Sequence, residues 1–135
     1  MRTTEFFSVA LALVSLACQS TTEPSQIPIQ FQSTYSGAPV QQLTISPEGS
    51  SIRVIGGYQG GCARAVGAFA VADGSVLRLT VGPPPSNSPC DAILVTVNYS
   101  GLLKVAAGTY SVEVFHRRAP WVSAELAGRA EITVQ

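Results

Sequence analysis

The feature that most restricts what this chain can fold into is an apolar period of two. Ile27, Ile29 and Phe31 alternate with polar or neutral neighbours. The rhythm returns at Leu43 and Ile45, at Ile52 and Val54, at Leu77, Leu79 and Val81, at Ile93, Val95, Val97 and Tyr99, and at Tyr110, Val112 and Val114. Successive side chains of a strand point to opposite faces, so the pattern predicts half-buried strands. Turn signals separate the runs at Ser36-Gly37-Ala38-Pro39, Pro47-Glu48-Gly49-Ser50, Asp73-Gly74, Ser100-Gly101 and Ala107-Gly108. Short strands at that spacing favour a sandwich or barrel over alternating strands and helices. Asp73-Gly74 predicts a type I′ hairpin, because both central positions of that turn need positive φ. The nearest approach to a helical stripe is residues 119–128, where Pro120 and Trp121-Val122 suit a strand-like or irregular path equally well. The expected fold is all-β: one antiparallel sandwich of about seven to nine strands over residues 27–135.

Composition supports a single packed unit. The chain has 135 residues, 46% of them hydrophobic and 12% charged, with eight cations against eight acids. That is too apolar for a disordered chain, and too poor in charge for a coiled coil or a nucleic-acid binder. A domain of this size buries about two-thirds of the surface of its unfolded chain.

The first 26 residues have a different grammar. Arg2 and Glu5 precede an apolar run, residues 6–17, too short to span a bilayer and suited to an export signal. Gln19-Ser20-Thr21-Thr22-Glu23-Pro24-Ser25-Gln26 is polar and aperiodic, as a flexible tether would be. Ser15-Leu16-Ala17-Cys18 followed by this tether resembles the lipobox and linker of bacterial lipoproteins. That resemblance implies a signal peptide at residues 1–17, acylation of Cys18, a tether at residues 18–26 and, with Gln19 after the Cys, the outer membrane. Ser15 stands where that family usually has an aliphatic residue, and Ser15-Leu16-Ala17 also fits ordinary secretory cleavage, which would give a soluble periplasmic or secreted protein. With Cys18 acylated, Cys62 and Cys90 remain as an even pair in an oxidising compartment and are expected to form a disulfide.

Near the carboxyl end, Leu103-Lys104-Val105-Ala106-Ala107-Gly108-Thr109-Tyr110-Ser111-Val112-Glu113-Val114 is similar to a segment of immunoglobulin-like and carboxypeptidase-regulatory-like sandwiches of bacterial envelope proteins. The resemblance implies that Tyr110 opens a strand, packs inward and returns its hydroxyl to nearby backbone. It describes fold grammar and carries no activity.

Few residues could support chemistry. His116 is the only histidine, which argues against a zinc site, and no serine sits in a nucleophile-elbow motif that would pair with it. Acids at Asp73, Asp91, Glu113, Glu125 and Glu131 are what a solvated surface requires. The run Gly56-Gly57-Tyr58-Gln59-Gly60-Gly61 lacks the Lys-Ser/Thr and the helix of a phosphate loop, and reads as a mobile loop with Tyr58 at its tip. Asn98-Tyr99-Ser100 has the spelling of a glycosylation sequon, without meaning in a bacterium. Pro83-Pro84-Pro85 stiffens the loop at residues 82–89, a connector that could also present a rigid peptide. Phe115, Arg117, Arg118 and Trp121 are of the types enriched at interfaces.

The sequence therefore predicts a lipid-anchored envelope module that binds or holds position without catalysis. Tyr58, Pro84, Phe115, Arg117, Arg118 and Trp121 are its candidate contact residues. No metal, cofactor or nucleic acid is expected; the partners are the membrane through the lipid and an envelope protein or glycan. The alternatives are a small hydrolase using His116 and a protease inhibitor acting through residues 82–89.

Overall fold

The computed structural model describes residues 24–91 and 93–135, so the expected signal peptide and the acylation of Cys18 lie outside the described residues. The elements are β1 (Ser25–Gln26), β2 (Ile29–Ser36), β3 (Thr44–Glu48), β4 (Ser51–Gly60), a 3-10 turn (Ala63–Ala65), β5 (Gly67–Asp73), β6 (Val76–Gly82), β7 (Val95–Lys104), β8 (Gly108–His116) and β9 (Glu125–Val134). They form two sheets, in the orders β1-β5-β6-β8-β9 and β2-β7-β4-β3. The inward positions are largely those the alternation marked. Ile52, Val54, Leu79, Val81, Val97, Leu103, Val112 and Val114 are fully buried between the sheets. Ile93 is an exception: it is 68% exposed, its N–H bonded to the Asp91 carboxylate two residues back, and β7 begins only at Val95.

One pair departs from the expected antiparallel arrangement, since β6 and β8 run parallel. Between them the chain crosses to the other sheet as β7 and comes back, so the two reversals, before and after β7, leave β6 and β8 pointing the same way. The β5–β6 hairpin is also displaced by one residue from its expected position. Asp73 pairs with Val76, which leaves Gly74-Ser75 as the loop, with φ of 60° at Gly74. Positive φ at the first central residue alone makes this type II′, not I′. The same turn joins β3 to β4 through Gly49-Ser50, with Gly49 at φ 59°.

Ser25–Gln26, inside the stretch read as tether, pair with Ala72 and Val71 of β5. The Ile27 N–H then bonds the Ala70 carbonyl and the Lys104 N–H bonds the Pro28 carbonyl, so the chain stitches both sheets as it enters. Tyr110 near the start of β8 donates its hydroxyl to the Ala106 carbonyl at 2.7 Å, as its sequence context implied. The expected Cys62–Cys90 disulfide is present, with Cα atoms 5.4 Å apart, and ties the end of β4 to the loop before β7.

Candidate functional site

The two ends of the sandwich differ in charge balance and in exposed apolar surface. Residue 24 leads into β1 at the end that also holds both type II′ turns, the entry end. The opposite, far end carries the disulfide, the 3-10 turn, the proline loop and residues 117–124. Arg53, Arg78 and Arg129, towards the entry end and the middle, each lie within 4 Å of a carboxylate, from Glu48, from Asp73 and Glu113, and from Glu113 respectively. At the far end Arg64, Arg117 and Arg118 have no such partner among the described residues. Ile93, Leu94, Trp121 and Phe69, all more than half exposed, lie at or next to that end.

Strand register assembles the first part of the site. Phe69 stands opposite Thr80, Thr80 opposite Phe115 and Phe115 opposite Leu126, giving one row across β5, β6, β8 and β9 on the outward face of the five-stranded sheet. The next row towards the entry end reads Val71, Arg78, Glu113 and Arg129, and its charges are paired. The outward face is thus charged in the middle and apolar near the far end. Leu126 joins the apolar row because β9 bulges where Val114 pairs with Gly128 and Phe115 with Leu126, leaving Ala127 as the extra residue. A bulge shifts every later side chain to the opposite face.

Above this row lies a hollow of about 560 Å³ lined by Ala65, Gly67, Ala68, Phe69, Thr80, Gly82, Pro84, Pro85 and Arg117. The Arg117 backbone is fixed on its rim: its N–H bonds the Val81 carbonyl, and its own carbonyl lies where any side chain at Gly82 would go. A second hollow of about 300 Å³ is lined by Gln59, Gly60, Gly61, Leu94, Arg118, Ala119 and Trp121. The expected surface residues therefore divide between two sites. Pro84 and Arg117 line the first hollow with Phe115 in the adjoining row, and Arg118 and Trp121 line the second.

Tyr58 belongs to neither. The run from Gly56 to Gly60 is no mobile loop but the second half of β4, and Tyr58 is 3% exposed inside the core. Each glycine there makes room for a neighbour: a side chain at Gly56 would strike the Tyr99 hydroxyl and one at Gly57 the Asn98 amide. Asn98, the residue of the sequon spelling, pins the loop before β3 by accepting from the Gln41 N–H and donating to the Pro39 carbonyl. Around Tyr58 lies a buried polar trio. His116 Nε2 is 2.7 Å from the Tyr99 hydroxyl, and the Tyr58 ring tilts against the imidazole with centroids 5.0 Å apart. Burial, and then the positive charge of Arg118, pushes the His116 pKa down to about 4. Burial raises that of Tyr58 to about 12. Both shifts keep the groups neutral in the folded protein.

Sequence reasoning missed Gly67, Phe69, Thr80 and Leu94. In β5 the small Ala68, Ala70 and Ala72 face inward and Phe69 faces out, so a reading that sends the bulky residue to the core inverts the strand. Among the described residues, no cluster of three or more His, Cys, Asp and Glu is placed to hold a metal. No family model, no curated protein and no solved structure matches the chain.

Proposed function

We propose that the chain is a lipid-anchored binding module of the bacterial outer membrane, built on an immunoglobulin-like sandwich and working without catalysis. The observation that supports this reading is the opposition of the two ends: the chain arrives at one, while exposed apolar side chains and three arginines without a carboxylate partner among the described residues gather at or beside the other. Seven Cα-to-Cα steps lead from Cys18 to Ser25, a reach of up to about 24 Å at about 3.5 Å each. The ten-residue strands add about 34 Å. A lipid on Cys18 would leave the far end free to meet a partner up to about 60 Å from the bilayer, by the same chain dimensions. Aromatic and Arg side chains are the types that carry binding energy at such surfaces. The Tyr110 hydroxyl on the Ala106 carbonyl favours immunoglobulin-like kinship, while the parallel β6–β8 pair is a departure from it.

The alternatives draw less support. A hydrolase would need His116 beside a nucleophile, yet its Nε2 faces Tyr99 in the interior. A protease inhibitor would act through the proline loop; residues 84–89 are exposed, while Pro83 is buried and Pro84 and Pro85 wall the larger hollow, which ties the proline run to the cavity.

Intact mass of the mature protein from a bacterial host tests the anchor. The expected mass is that of residues 18–135 with acyl groups added and two hydrogens lost to the disulfide; an unmodified Cys18, or a retained signal, overturns it. Binding is tested by Trp121→Ala, which should weaken capture of an envelope component at unchanged melting temperature.

A further inference from the structure

The hollow beside Phe69 combines features that do not require each other for folding. Its walls are apolar, from Phe69, Pro84, Pro85 and Ala65, and its volume of about 560 Å³ is that of a small-molecule site. Gly67 opens it: a Cβ built there meets nothing within 4 Å. Of the lining residues, only Thr80 and Arg117 have polar side chains. Among the described residues, Thr80 makes no side-chain hydrogen bond and no carboxylate lies within 4 Å of Arg117. Arg117 is the charged residue of this otherwise apolar lining, and a carboxylate matches the fork of donors on a guanidinium.

We infer that this hollow binds a small amphipathic acid, its apolar body against Phe69 and the prolines and its carboxylate on Arg117. The inference deepens the reading of the far end as a binding surface, and it does not depend on the lipid anchor. The volume favours a free acid over a peptide strand, and the single cation favours one carboxylate over a polyanion.

The test uses the full-length chain with Cys18→Ser, which cannot be acylated, so failure here and failure of the anchor are separate results. Octanoate and octanol are titrated against it while backbone amide resonances are followed by NMR. Octanoate should shift the amides of Gly67, Phe69 and Gly82 and bind at least about tenfold more tightly than octanol, the difference expected of one charge-assisted pair. Arg117→Gln should abolish that preference. Gly67→Leu should block octanoate at unchanged melting temperature, since its side chain fills open space. Equal binding of acid and alcohol, or octanoate shifts that survive Gly67→Leu, would overturn the inference. So would tighter binding of N-acetyl-Leu-Phe than of octanoate, because it would assign the site to a peptide terminus.

Discussion

The Tyr99 hydroxyl lies 2.7 Å from His116 Nε2 in the interior of the sandwich, whereas the Tyr58 hydroxyl, equally buried, has no hydrogen-bond partner among the described residues. The same substitution should therefore act differently at the two tyrosines. Tyr99→Phe leaves a ring nitrogen buried without its partner and should cost about 1–3 kcal/mol. Tyr58→Phe removes a group that gains nothing from the protein, and should be neutral or stabilising by up to about 1 kcal/mol. Denaturant unfolding of both variants makes the comparison.

Acid should unfold the domain in a defined window. Folding lowers the His116 pKa from 6.5 to about 4, mainly through burial and then through Arg118; Tyr58 and Tyr99 face the ring without charge, and Glu125 pairs with it in register from β9. Between those values the unfolded chain binds a proton that the native state refuses. Stability is full above about pH 6.5 and falls as pH drops towards 4, by on the order of 3 kcal/mol from this group. His116→Gln should flatten that part of the stability–pH curve.

Gly56 should not tolerate alanine. A Cβ there would sit 2.6 Å from the Tyr99 hydroxyl and 2.9 Å from its ring carbon Cζ, so the tyrosine would have to leave His116. Overpacking of this kind costs about 1–3 kcal/mol. Gly56→Ala should unfold at lower denaturant, whereas Gly67→Ala, placed in open space, should not.

Reduction of Cys62–Cys90 should lower stability. The bridge closes 28 residues, for which chain entropy gives about 3.6 kcal/mol. The reduced domain should melt well below the oxidised one, and equal melting temperatures would mean that the loops before β5 and β7 are held by other contacts.

Strands whose two faces differ were legible in the sequence. Leu77, Leu79 and Val81, or Val112 and Val114, had polar or small neighbours that left one arrangement. Three physical effects hid the rest. β5 is apolar on both faces, so alternation did not say that Phe69 points outward. The Ala127 bulge breaks the period within β9, which masked that strand and moved Leu126 from the core to the outward row. In β4, glycines that clear space for Tyr99 and Asn98 resembled the glycines of a loop. The far-end segment was foreseen as individual residues, but its division into two hollows depends on cross-strand register, which one strand's sequence does not contain.

Trp121, the only tryptophan, is 64% exposed at the far end and can report on the orientation of that end. The acylated chain reconstituted in vesicles containing acyl-chain-brominated lipids should show Trp121 emission at the wavelength of a solvent-exposed indole, without quenching by the bromines. Strong quenching with a blue shift would bring the far end into the bilayer, contradicting a module whose binding surface faces away from its anchor.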